Sequence, residues 1–282
     1  MDNSTIFLVL IAALLHASWN ASVKSSGDKL VSIAGIQFAG GVIALCLIPF
    51  FPIPDRASWP YLVASILLHS AYYVALSEAY KISDFAQAYP IARGTAPLFV
   101  TLWGVIILGE QFSQTEALAL CGVLCGILIF ATRRIGQVMQ DRHTILVAMT
   151  TSVFIASYTL VDGVGARLTD SVSAYMVWLT FLDAIPVVIY TIIVRSPKVI
   201  PDLLANWRLS FLGAAMALAS YWIVVWAMTQ GSIAIVSSLR ETSIIIAALI
   251  GTFYFKEPSG MRRIIASIII FVSIALLVLD KG

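Results

Sequence analysis

Ten times between residues 5 and 279 the chain holds a mostly apolar run of about 20 residues, the length a helix needs to cross a bilayer. The runs fall at about 5–24, 30–51, 57–79, 85–108, 113–132, 144–162, 171–194, 207–228, 232–254 and 261–279. Lipid offers no partner to a bare peptide group, so each run is expected to be a helix that satisfies its own backbone. The connections are short and carry turn residues and charges: "SSGDK", "PIPDRAS", "LGEQFSQ", "SPKVIPD" and "FKEPSG". Even the longest, "RRIGQVMQDRH" at 133–143, has no room for a soluble domain. The predicted class is an all-α integral membrane protein of ten transmembrane helices. Composition agrees, with 60% hydrophobic residues, 11% charged and a mean hydropathy of +0.95. A soluble chain would carry about 25% charged residues. The opening "MDNSTIFLVLIAALLHASWN" lacks a basic n-region and reads as a first span, not a signal peptide. Cys46, Cys121 and Cys125 lie in apolar runs and read as small hydrophobes, with no disulfide framework, metal site or cofactor implied. A net charge of +2 gives no footing for nucleic acid.

The long middle connection separates two related halves. Residues 92–110, "ARGTAPLFVTLWGVIILGE", align with 239–257, "LRETSIIIAALIGTFYFKE", at a constant offset of 147. Arg93 then meets Arg240, Thr95 meets Thr242, Leu102 meets Leu249, Gly104 meets Gly251 and Glu110 meets Glu257. "HASWN" over "IASYT" pairs Ala17 with Ala156, Ser18 with Ser157 and Trp19 with Tyr158. The expected units are residues 1–133 and 144–282, five helices each. Five is odd, so the second must cross the membrane with the opposite sense, as in transporters whose site lies at the midplane between inverted repeats.

The segments "LLHASWNASVK", "YPIARGTAPLFVTLWGVIILGE" and "SSLRETSIIIAALIGTFYFKE" resemble those of the EamA-type proteins of the drug/metabolite transporter superfamily. The resemblance covers both halves. It implies ten helices around a central cavity lined mainly by segments 1, 3, 4, 6, 8 and 9, and export of small metabolites, often amino acids and related compounds. The first segment is also similar to the first helix of the small multidrug resistance proteins. Counted from Lys24, His16 stands where those proteins place a proton- and drug-binding carboxylate.

Ionisable residues inside a membrane need a partner or a function. His16, Trp19 and Asn20 share one face of the first helix; His69, Tyr72 and Tyr73 share one on the third. Tyr158, Thr159 and Asp162 do so on the sixth, and Trp222 and Trp226 on the eighth. Lipid would reject the polar groups, so these faces are expected to converge. With Tyr89, Arg93 and Arg240, the substrate-binding set is His16, Trp19, Asn20, Tyr72, Tyr73, Tyr89, Arg93, Tyr158, Trp222, Trp226 and Arg240. His69 is expected to bond between helices, and Asp183 to pair or pack away from substrate. Asp162 and Glu78 sit near span ends, within reach of headgroups. "CGVLCG" holds a GxxxG that allows close helix contact, internal or between two chains, and leaves monomer and homodimer both open.

Arg93 and Arg240 each lie about eight residues into a span, roughly 12 Å of helix from its nearer end. Pro90 and Pro97 flank Arg93 and predict a helix loosened there, tolerable only where protein or water satisfies the backbone. Glu241 follows Arg240 directly, which predicts that Arg240 is tied up and Arg93 is left for substrate. The expected function is a secondary transporter, in the exporting sense, of small polar or amphipathic metabolites such as amino acids or related carboxylates. Its partners are then the substrate and the lipid bilayer. The alternatives are efflux of lipophilic cations, weakened by the missing carboxylate on the first helix, and an intramembrane enzyme or scaffold. No HxxxH or GxSxG constellation supports catalysis, and no GxxxxGK[ST] loop supports ATP use. The setting expected is a multi-pass plasma membrane protein, the bacterial inner membrane. Two arguments about its orientation disagree. Of the fifteen lysines and arginines other than Arg93 and Arg240, twelve lie at one face, which the positive-inside rule makes cytoplasmic, with both termini outside. The family resemblance implies cytoplasmic termini.

Overall fold

The computed structural model describes the chain except residues 25–27, 83–84, 139–141, 244, 247–260 and 280–282, and except, among others, the side chains of 76–92 and 130–145. The first half comprises α1 (Asn3–Lys24), α2 (Lys29–Leu47), α3 (Trp59–Ile82), α4 (Phe85–Leu108) and α5 (Gln114–Val138). The second comprises α6 (Arg142–Arg167), α7 (Val172–Arg195), a short α8 (Ile200–Ala205) leading into α9 (Trp207–Gln230), α10 (Ile233–Arg240) and α11 (Met261–Leu279). Apart from α8, these mark ten membrane segments in two inverted five-helix repeats. Among the described residues, five helices are long and apolar enough to cross a bilayer unaided, and shorter apolar stretches lie at 93–108, 114–129 and 264–276. The segments alternate in direction. The starts of α1 and α10 and the ends of α4, α6 and α9 therefore share one face, termed here the amino face.

The packing repeats the symmetry that the sequence implied. α1 lies against α9 as its counterpart α6 lies against α3, and α1 meets α10 as α6 meets α4. α2 packs on α7, and α5 on α11, each helix on its own counterpart. Most of the large contacts therefore join the halves. No hydrophobic force drives helices together in lipid, so close approach depends on small residues. Gly122 and Gly126 of the "CGVLCG" stretch supply it on α5. A Cβ on Gly122 would collide with Ser273 of α11, and one on Gly126 with Ile270 and, at 3.1 Å, the Ala266 carbonyl. The GxxxG is thus used inside the bundle. Gly126→Ala is expected to cost about 1–2 kcal/mol by overpacking, read as a lower melting temperature in detergent.

The end of α4 has a second device. Gly109 adopts φ +65° after Leu108, and the Glu110 N–H donates back to the Gly104 carbonyl (3.0 Å). This is a Schellman-type stop, which favours glycine at the left-handed position. It turns the Glu110 side chain over Gly104, where a Cβ would come within 2.9 Å of Oε2. Glu110 then reaches the start of α10 in the other half. It accepts from the N–H groups of Ile233 (2.6 Å) and Ala234 (3.3 Å) and from the Ser232 hydroxyl (2.8 Å). Arg167, at the end of α6, donates to the carbonyls of Met228 (2.8 and 3.0 Å) and Gly231 (2.6 Å). Both side chains hold the α9–α10 turn. Also on the amino face, Asp55 accepts the Asp170 N–H (2.9 Å), and this bond, with one from Thr169, holds its carboxyl below the usual range.

Candidate functional site

Between the halves lies a cavity of about 160 Å³. On α1 it is lined by His16, Trp19, Asn20 and Val23, the i, i+3, i+4, i+7 set of one helical face. α3 contributes His69, Tyr72 and Tyr73; α6 contributes Tyr158; α4 and α10 contribute Arg93 and Arg240. His69 stacks on Tyr158 (4.0 Å between centroids, 23°), and Tyr72 stands edge-on to both Tyr73 (5.1 Å) and Tyr158 (5.9 Å). His16 meets Trp19 edge-on at 5.3 Å. One wall is therefore aromatic.

The cluster at mid-membrane depth is ionic. Glu241 Oε1 accepts from Arg93 Nη2 (3.0 Å) and from Arg240 Nη2 (3.1 Å). Arg93 Nη2 also lies 2.9 Å from His16 Nε2. A guanidinium can only donate, so His16 accepts there and carries its proton on Nδ1. The side chains of Arg93, Arg240 and Glu241 are 5%, 3% and 1% exposed. Two guanidiniums share one carboxylate oxygen, so these three groups together carry one positive charge. The expectation that Arg93 is left without an acidic partner does not hold. The acid next to Arg240 reaches across to Arg93 as well, because the pseudo-symmetric axis brings the two arginines together.

The backbone loosening also lies elsewhere than expected. α4 runs unbroken from Phe85 to Leu108 through both prolines. The mirrored segment is the one that breaks: α10 ends at Arg240, and 241–242 form a turn capped by Thr242 Oγ1 on the Leu239 carbonyl (2.7 Å). That turn swings Glu241 between the arginines.

Of the expected set, His16, Trp19, Asn20, Tyr72, Tyr73, Arg93, Tyr158 and Arg240 come together around the cavity. The side chain of Tyr89 lies outside the described residues, as does that of Glu78. Trp222 and Trp226 do not line it. Trp222 packs edge-on to Phe51 (5.8 Å), and Trp226 packs on the core around Val224, Met228 and Ile233. The lining face of α9 is Ala214, Ala217, Leu218 and Tyr221, a different side of the same helix. Tyr221 was not expected. Its ring lies 6.0 Å from the Arg240 guanidinium, and its hydroxyl donates to Asp162. Asp162, fully buried, also accepts from the Tyr175 hydroxyl (3.0 Å), so it does not reach headgroups. His69 Nδ1 lies within reach of the Ser65 carbonyl (3.0 Å) on its own helix, and between helices its ring stacks on Tyr158 and stands edge-on to Tyr221 (6.1 Å). α2 and α7 complete the cavity with Gln37 and Asp183, among others. Asp183 pairs, accepting from Gln37 Nε2 (3.0 Å), but it stands on the cavity wall and not away from it as expected, because the packing of α2 on α7 brings both residues to the central face.

The cavity is one-sided. Its lining reaches Val23 and Ile33, at the face opposite the amino face. Toward the amino face the bundle is filled by Val9, Val100, Leu160, Met228, Ile233 and Leu239, beneath the Glu110 and Arg167 contacts.

A solved structure described only as a crystal structure of a protein superposes with a TM-score of 0.75 at 17% identity, covering 100% of this chain and 98% of that one. The uncharacterized membrane protein YvdR of Bacillus subtilis (strain 168) is 28% identical over 99 residues, 35% of this chain and 89% of that protein. The EamA-like transporter family matches twice, over residues 3–132 and 142–279, once in each half. A membrane bundle of two inverted halves, each matching the same family, leaves one assignment: the chain belongs to the EamA-like transporter family of membrane proteins.

Proposed function

We propose that this protein exports small amphipathic metabolites bearing a carboxylate, amino acids or close relatives, by alternating access around the cavity between its repeats. The observation that carries this reading is the shared carboxylate: Arg93 and Arg240 both bond Glu241 Oε1, beside an aromatic-walled cavity. Their excess positive charge attracts an anion, and a guanidinium plane matches a carboxylate better than an ammonium does. The rings of Trp19, Tyr72, Tyr73 and Tyr158 suit an apolar body.

The test is transport in vesicles, using the acid that most stabilises the purified protein. Arg93→Lys keeps the charge but loses the planar fork. It is expected to reduce transport at least about tenfold while melting near the wild type. Wild-type transport by Arg93→Ala would show that this arginine only packs, and would end the reading.

Orientation follows from charge in this proposal. Lys24, Lys29, Arg195, Lys198 and Arg208 are among the twelve basic residues at the face to which the cavity leads. That face is then cytoplasmic, and the cavity stands ready to load from within, the state an exporter needs. A carboxy-terminal fluorescent-protein fusion should stay dark in a bacterial host. A fluorescent fusion would reverse the orientation.

A further inference from the structure

Of the described residues that line the cavity, Asp183 is the single acid. It comes from α7, on a wall built with α2, whereas the arginines come from α4 and α10. Gln37 of α2 donates to Oδ2 and so fixes the carboxyl group. The other oxygen, Oδ1, is buried with no hydrogen-bond partner among the described residues, and the residue as a whole is 7% exposed. A buried acceptor without a donor is unfavourable, and a charged one more so. Of the other acids nearby, Glu241 already meets two guanidiniums at Oε1, although its Oε2 is likewise buried without a partner among the described residues, and Asp162 is held by two tyrosine hydroxyls. Tyr72 and Tyr73 also line the cavity, and aromatic rings tolerate a cation well.

We propose that Asp183, positioned by Gln37, is the residue that recognises a substrate ammonium group, so that the cavity selects dipolar molecules with the amine toward α7 and the carboxylate toward Arg93 and Arg240. This rests on the carboxylate reading above and adds the second pole. It makes the substrate an amino acid or amino-acid-like zwitterion, not a simple organic acid and not a lipophilic cation.

The experiment measures binding to the purified full-length protein. The probes are apolar and aromatic amino acids, each beside its des-amino acid and its decarboxylated amine. The best amino acid is expected to bind the wild type at least about tenfold more tightly than either truncated form, since a site built around a polar group rejects analogues that lack it. Asp183→Asn is expected to bring the amino acid to within about threefold of its des-amino form, whose own affinity stays near the wild-type value and so reports an intact cavity. Asp183→Glu, which retains the charge, should keep the preference for the amine. A preference that survives Asp183→Asn overturns the assignment and leaves the carboxylate reading standing. A wild type that binds no carboxylate, or binds the bare amines best, overturns both.

Discussion

Glu241→Gln is expected to destabilise the protein by about 3–5 kcal/mol, the usual penalty for removing one partner of a buried ionic cluster. The glutamine keeps the shape and can accept one bond, but it cannot neutralise either guanidinium. Both side chains line the cavity but are at most 5% exposed, so water has poor access to a stranded charge. Each arginine deletion should cost less. Arg240→Ala leaves Glu241 bonded to Arg93, and Arg93→Ala leaves it bonded to Arg240. The order of melting temperatures in detergent should therefore be wild type, then either single alanine variant, then Glu241→Gln. The double variant Arg93→Ala/Glu241→Gln should lose less than the sum of its parts, because Arg93→Ala removes one of the two charges that Glu241→Gln leaves stranded. A Glu241→Gln protein within about 1 kcal/mol of the wild type would mean that water or ions already neutralise the cluster, and that the buried triad is not what holds α4 against α10.

The triad also marks where sequence reasoning stops. Periodicity and length placed the spans, and the repeat at Arg93 and Arg240 placed their inversion, because both signals are local or strictly registered. The lining faces of α1 and α3 were legible for a similar reason. His16 with Asn20, and His69 with Tyr72, are polar groups on otherwise apolar helices, and they fix which side must avoid lipid. α9 has no such marker: Trp222 and Tyr221 are adjacent, both amphipathic, and point about 100° apart. Ring size does not separate them, and it is Tyr221 that lines the cavity. For Asp162 the apolar run and the helix end differ. The sixth apolar run ends near 162, but α6 continues to Arg167, which buries the acid more than a turn from the helix end. Gln37 and Asp183 each stand alone in an apolar run, and only the packing of α2 on α7 brings them together. The reach of Glu241 to Arg93 has no sequence signature either, since it depends on a turn at 241–242 that propensity does not dictate.

Val9, His16 and Val23 lie seven residues apart along one face of α1, and they should report which side of the cavity is sealed. In a chain with Cys46, Cys121 and Cys125 replaced, Val23→Cys is expected to react with a water-soluble thiol reagent while Val9→Cys stays at least about tenfold slower, since opposite ends of a one-sided cavity cannot both be wet. Val23 lines the cavity, and Val9 is fully buried in the apolar plug with Leu160, Met228 and Ile233. Above that plug, Glu110 and Arg167 clamp the α9–α10 turn with hydrogen bonds from charged groups. Bonds of this kind contribute about 1.5–3 kcal/mol each when well buried, and less at a partly exposed edge such as this one. Removing either clamp should therefore weaken the closed amino face by about 2–3 kcal/mol, enough to raise an open population from below about 1% to a readily labelled fraction. Glu110→Ala and Arg167→Ala should each speed the labelling of Val9→Cys and slow none at Val23→Cys beyond the shift in population. The alternating access proposed above requires that this face be able to open, and the clamps sit where the end of α9 and the start of α10 would have to part. Suppose both variants fold, transport at the wild-type rate and leave Val9→Cys unreactive. The apolar plug would then be the seal, and the polar clamps would only tidy the helix ends above it.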